Sequence, residues 1–201
     1  MSNTSADGGP LLPEDGTPTL SPDDPFDDLL QSLVVGITGM PGHLVRPRWQ
    51  SVPPSEPEAE TDWCAIGQIE DDPGFNYFER HDGDGDGGLG TTTTQIQSVI
   101  RILASFYGPH ARGYASKFRN GIMVPQNREA LFPYGVALQQ MPGVARFVPA
   151  IVSFQSRPKV DVEFLLRVPS VRVWAIRNIV AVPFTIEPDD GASVSVTVTE
   201  D

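Results

Sequence analysis

The sequence predicts an α+β fold, a mixed and mainly antiparallel sheet packed against two or three helices, with extended N- and C-terminal arms. Three observations predict it. Segments with period-two alternation of apolar and polar residues fill much of the chain, above all its second half. Two separate segments instead place apolar residues at helical spacing. Strands and helices neither alternate regularly nor repeat, which argues against a doubly wound parallel sheet. With 201 residues, 39% of them apolar, the chain can bury a core without a metal or disulfide staple. The expected organisation is a flexible acidic arm over residues 1–22, an α+β body over 23–186, and a C-terminal arm with a short strand over 187–201.

Residues 1–22 are rich in Ser, Thr, Gly, Pro and Asp and have almost nothing to bury, so an isolated monomer is expected to leave them unstructured. A helix follows. Asp24 can act as its N-cap, Pro25 suits the first helical position, and Asp27 and Asp28 complement the N-terminal dipole. Phe26, Leu29, Leu30, Leu33, Val34 and Ile37 form one stripe, and Gly39 and Pro41 end the helix. Strands are predicted over 45–50, 61–69 and 75–81, with a Pro-rich acidic loop at 51–60. The run Asp82-Gly83-Asp84-Gly85-Asp86-Gly87-Gly88 is too flexible for regular structure and reads as an exposed hairpin loop.

Residues 94–107 read as a long strand with Ile96, Ser98, Ile100, Ile102, Ala104 and Phe106 on one face. Gly108 and Pro109 turn the chain into a second helix over 109–120. Ala111, Tyr114, Ala115 and Phe118 sit there at helical spacing, and Gly121 closes it. A short helical turn is expected over 126–132, then β-structure over 144–155. Val160, Val162, Phe164, Leu166 and Val168 alternate with polar positions, and Pro169-Ser170 is expected to turn that strand into a returning one over 171–182. After an acidic linker, residues 193–199 alternate with strict period two. A strand there is expected to add to a sheet edge of this chain or of a neighbour.

The formal net charge of −12 is unevenly spread. Residues 95–185 hold 11 basic and 3 acidic side chains, and the remainder holds 3 basic and 23 acidic ones, so a basic body carries acidic tails and loops. Arg outnumbers Lys by 12 to 2. Arg is favoured at packed interfaces and Lys on freely solvated faces, so the bias points to subunit contacts that receive the acidic extensions.

The start of the chain has neither a basic n-region nor an apolar h-region, and no run of 18 apolar residues occurs, so neither an export signal nor a membrane span is expected. The single cysteine, Cys64, lies in an apolar stretch and reads as a small buried side chain. Asp82, Asp84 and Asp86 match the first half of an EF-hand loop, but the twelfth position is Thr93, which cannot supply the bidentate carboxylate. They are weak candidates for a metal, calcium at most, and no cofactor is expected. His43, His81 and His110 lack ligand spacing, and G-x-S-x-G, P-loop and dinucleotide motifs are missing from the sequence. No acid, base or nucleophile is assembled, so a non-enzymatic protein is expected. The basic residues of the body are scattered over several elements, which argues against sequence-specific nucleic-acid binding.

Four segments, in this order, resemble the phage neck terminator family: Val45-Arg46-Pro47-Arg48-Trp49-Gln50 followed by Pro53-Pro54; Asp62-Trp63-Cys64-Ala65-Ile66-Gly67; Ser105-Phe106-Tyr107-Gly108-Pro109; and Gln126-Asn127-Arg128-Glu129-Ala130-Leu131. The resemblance covers about residues 26–182. It implies a tail-terminator-like α+β fold that assembles as a homohexameric ring at the neck of a tailed bacteriophage. Such a ring terminates the tail and joins it to the head connector or adaptor. The implied partners are further copies of the chain, connector proteins, the tail tube and a sheath where one exists, with DNA passing through unread. The implied place is the virion neck, after assembly in the host cytoplasm.

The resemblance carries over no catalytic residue. Arg46, Arg48 and Trp49 are interface candidates, because Arg and Trp are enriched where interface energy concentrates. Packing of Trp49 and Trp63 inside the home core is the alternative. Val194, Val196 and Val198 are interface candidates on the C-terminal strand. The competing class is a monomeric calcium-stabilised binding module or tail accessory protein, resting on the Asp82–Asp86 loop.

Overall fold

The computed structural model describes residues 10–14, 24–50, 52, 54–58, 60–74, 76–83, 89–140, 143, 145–148, 150–152, 155–177, 181–186 and 194–199, with only the backbone described at 24, 89, 150–152, 155–156, 181–186 and 194–199. In chain order the elements are α1 (Asp24–Thr38), β1 (Val45–Pro47), β2 (Trp63–Asp72), β3 (Tyr77–Asp82), β4 (Leu89–Tyr107), α2 (Ala111–Gly121), α3 (Pro125–Glu129), β5 (Ala137–Gln140), β6 (Arg146–Phe147), β7 (Ala150–Val152), β8 (Gln155–Arg157), β9 (Lys159–Arg177), β10 (Ala181–Ile186) and β11 (Val194–Thr199), with 3-10 turns at Gly42–Leu44 and Phe132–Tyr134. Seven strands form one mixed sheet in the order β1-β2-β4-β9-β5, with β3 paired to β4 and β6 to β9. β1 runs parallel to β2, whereas β2 with β4, and β5 and β6 with β9, are antiparallel. This is the mainly antiparallel α+β architecture that the sequence predicts.

The chain divides into two compact units, a larger one of Thr19–Asn76 and Ile96–Ser170 and a smaller one of Met1–Pro18, Tyr77–Gln95 and Val171–Asp201. β4 and β9 each contribute a stretch to both.

In the larger unit the amphipathic patterns become the core. Phe26, Leu29, Leu30, Leu33 and Val34 of α1 are buried with Ala111, Ala115 and Phe118 of α2, Ile100, Ile102, Ala104 and Phe106 of β4, and the alternating Val160, Val162, Phe164, Leu166 and Val168 of β9. Phe118 sits between Phe106 and Phe164 in tilted contacts of 5.8 and 5.6 Å, a geometry that adds to the burial. α1 ends as its sequence requires. Gly39 adopts φ +74° and its N–H donates to Val35 O at 2.9 Å, while Thr38 Oγ1 donates to Val34 O.

Gly121 is the last residue of α2 rather than a residue beyond it, and its missing side chain lets Ile37 of α1 approach. A β-carbon there would overlap Ile37 Cγ2. Gly121→Ala is therefore expected to cost about 1–3 kcal/mol by overpacking, measured as a lower midpoint in urea unfolding.

Local sequence misleads at three places. β9 runs straight through Pro169-Ser170 from Lys159 to Arg177, so the expected returning strand is its second half. The last β5 pair is Ala137 with Arg167, so Pro169 lies past the end of that ladder and its missing N–H breaks no pair on that side. β1 stops at Pro47, three residues short of the predicted end, although Arg48 N–H still donates to Ile66 O at 2.8 Å. β2 runs on to Asp72 through an irregularity between Gln68 and Glu70.

In the smaller unit, part of the N-terminal arm is tied down: Glu14 N–H donates to Val173 O at 2.8 Å. Trp174 Nε1 donates to Thr94 Oγ1 at 2.9 Å, and His81 Nδ1 lies 2.8 Å from Thr92 Oγ1. β11 pairs antiparallel with β10 of the same chain in a separate two-stranded sheet, so the expected strand is present but pairs with β10 rather than adding to an edge of the seven-stranded sheet.

Candidate functional site

β1, β2 and the end of β4 are neighbours, and they bring three of the four singled-out segments to one corner of the larger unit. The Trp63 and Tyr107 rings stack there, with centroids 4.3 Å apart and planes within 7°. A cation lies against each: the Arg46 guanidinium is 5.8 Å from the Trp63 centroid and the Lys159 ammonium 5.8 Å from that of Tyr107. Such contacts contribute about 0.5–2 kcal/mol each, according to how far they are desolvated. Arg46 Nη1 also donates to Ser55 O at 2.8 Å.

Beneath the rings runs a hydrogen-bonded chain. Arg48 Nη2 donates to Ser105 Oγ at 2.6 Å and to Ala65 O at 3.3 Å. Ser105 Oγ donates onward to Asp161 Oδ1 at 2.5 Å, and Asp161 Oδ2 pairs with Lys159 Nζ at 3.0 Å. Ser105 is fully buried and its one proton is committed to Asp161, so it joins β4, β9 and the residue after β1 and is not poised as a nucleophile. Arg157 Nη1 holds the preceding loop through Glu56 Oε1 at 3.0 Å and Pro57 O at 3.2 Å. Between this loop and the rings lies a cleft of about 250 Å³, lined in part by Arg46, Gln50, Pro54 and Glu56.

Trp49 stands out of this corner. It is 69% exposed, yet its indole N–H donates to Gln68 O at 2.5 Å, which fixes the ring. Gly67 lets the preceding residue come close: a β-carbon there would lie 2.8 Å from Arg48 Cβ, while Trp49 Cδ1, at 3.6 Å, would be in ordinary contact. The two tryptophans thus part ways, Trp63 half-buried in a stack and Trp49 presented outward. Arg48 Nε and Trp63 Nε1 are buried without a protein hydrogen-bond partner among the described residues.

The other candidates fall elsewhere. Asp82 ends β3 and is exposed, and Asp84 and Asp86 lie outside the described residues. No group of three His, Cys, Asp or Glu side chains suited to a metal occurs among the described residues. The backbones of Val194, Val196 and Val198 pair with Ile186, Phe184 and Val182 of β10. The fourth segment forms α3 and the turn after it, where Asn127 Nδ2 donates to Gly121 O at 2.8 Å and Leu131 is buried.

Cys64 is fully buried, as read, and burial pushes its thiol far above its usual range, with the nearby Arg48 charge opposing only in part. Sequence reasoning did not single out Asp161, Lys159, Arg157 or Glu56. The one signal for the first two was the polar face of β9, on which Lys159, Asp161 and Glu163 alternate with buried Val160 and Val162.

No helix among the described residues is long and apolar enough to cross a membrane. No curated protein matches the chain. The family model described as phage neck terminator protein matches residues 24–190, which include the whole β1–β2–β4 corner and α3. The chain therefore belongs to the phage neck terminator family, the structural proteins of the phage neck.

Proposed function

We propose that this neck terminator assembles as a homohexameric ring that ends the tail and joins it to the head connector, with Trp49 as an anchor of the subunit contact. The carrying observation is the pinned and exposed Trp49 ring. Its hydrogen bond to Gln68 O fixes its orientation before any partner arrives, so little side-chain entropy is lost on docking. Arg46 is the second anchor, held by Trp63 and Ser55. Arg48 supports both from within. The uneven charge favours a head-to-tail arrangement, in which unlike surfaces of successive copies meet and the ring closes around passing DNA that it does not read.

Native mass spectrometry of the purified chain tests this. A single closed oligomer is expected, with Trp49→Ala raising the concentration needed for assembly by about 30-fold, the effect of losing an interface hot spot of about 2 kcal/mol. A monomer at all concentrations, alone and with tail tubes, contradicts the ring. The Asp82–Asp86 sequence has Thr93 where a calcium loop needs its bidentate carboxylate, so calcium is expected to leave the melting temperature unchanged.

A further inference from the structure

Two exposed stretches of the larger unit, one at the β1 edge and one in the chain leading into β5, carry unlike surfaces. The order β1-β2-β4-β9-β5 places β1 at one edge and β5 at the other, about 19 Å apart at four strand spacings of ~4.8 Å. At the β1 edge, Trp49, Val52 and Ile69 are 69, 84 and 40% exposed, and β2 continues beside them into exposed Glu70, Asp71 and Asp72. Just before β5, the chain exposes Met123, Val124, Phe132 and Tyr134 by 44, 47, 62 and 48%. Arg119, in the last turn of α2, is exposed near the start of that stretch. One stretch is thus apolar beside the exposed carboxylates of Asp71 and Asp72, Glu70 being paired with Arg101, and the other is apolar beside Arg119, with Glu129 also exposed within it.

Two unlike stretches of one chain can meet when a second copy supplies one of them. Contact between two different patches of identical chains is heterologous, the kind that propagates head to tail and closes into a ring when the rotation permits. Apolar groups rimmed by opposite charge on the two sides supply both the burial and the register.

We propose that the Trp49–Val52–Ile69 edge of one copy docks on the Met123–Val124–Phe132–Tyr134 surface of the next, with Arg119 facing the Glu70–Asp72 segment across the contact. This rests on the self-assembly reading above and assigns the two faces that meet.

The test uses Val52→Cys and Phe132→Cys chains, purified separately; the native Cys64 is buried and stays out of the reaction. They are mixed below the assembly concentration, concentrated together and treated with a short bismaleimide. Covalent dimers are expected in the mixture at several times the yield from either chain alone, and equal yields overturn the pairing. Arg119→Glu and Asp71→Arg are each expected to raise the assembly concentration at least tenfold, and the double variant to return to within about threefold of wild type. Wild-type assembly combined with unaffected single variants overturns this pairing but leaves the ring standing. A wild-type chain that never assembles overturns both.

Discussion

Gly108→Ala lowers the stability of the larger unit by about 3 kcal/mol, through backbone strain and overpacking acting together. Gly108 adopts φ +107°, a region that L side chains rarely enter, and it packs closely on the Thr61–Asp62 segment. A β-carbon at this position would lie 2.7 Å from Asp62 Cα and 2.8 Å from Thr61 O, which are backbone atoms that cannot turn aside. Asp62 is itself committed: Oδ1 accepts the His110 N–H at 2.8 Å and Oδ2 lies 2.8 Å from His110 Nδ1, where α2 begins. Displacing Asp62 therefore loosens the start of α2 as well as the strand that carries Trp63. For a chain of this size the loss corresponds to a fall in melting temperature of about 6–12 °C. Gly36→Ala is the control. Gly36 is exposed within α1 and a β-carbon there meets nothing within 4 Å, so the change is neutral or gains up to about 1 kcal/mol in helix propensity. Equal effects at the two glycines would remove the steric account.

The second large effect is at Asp161. Asp161→Ala takes away the acceptor for the buried Ser105 hydroxyl and the counter-charge of Lys159 in one step, and leaves the Arg48 chain without its anionic end. Removing one member of a buried charged network costs about 3–5 kcal/mol. The Asp161 and Lys159 side chains keep 13 and 19% exposure, so a loss of about 2–4 kcal/mol is expected here. Asp161→Asn restores an acceptor for Ser105 without the charge, and its loss is expected to fall between wild type and the alanine variant. Urea unfolding of the three proteins measures this. An asparagine variant as unstable as the alanine one would place the whole effect in the charge, and wild-type stability in both would show that the chain of hydrogen bonds contributes nothing.

The helices and the long strands were legible because each repeats one buried face. The α1 stripe from Phe26 to Val34, the β4 face from Ile100 to Phe106 and the β9 face from Val160 to Val168 all became core. The misreading at Pro169 has a physical cause: proline and serine favour a turn locally, but the tertiary pairing of β9 overrides that preference. The four family segments were legible in order, and the family match bears out the resemblance they carried. Their convergence was not legible. It depends on a parallel β1–β2 pair and an antiparallel β2–β4 pair, which set Val45 opposite Cys64 and Cys64 opposite Phe106, registers that no local pattern encodes.

The excess of Arg over Lys was assigned to contacts between subunits. Within the larger unit, Arg101 and Arg146 pair with Glu163, Arg101 also pairs with Glu70, and Arg157 pairs with Glu56, so part of that excess serves the chain's own fold. Bidentate-capable side chains suit both uses, and composition alone does not separate them.

Cryo-electron microscopy of the virion neck decides where the chain sits and which faces it uses. A closed ring of six copies between connector and tail, with each Trp49 buried against the next subunit, is the predicted map. A neck in which this chain forms no ring, or a ring in which Trp49 faces solvent, would contradict it.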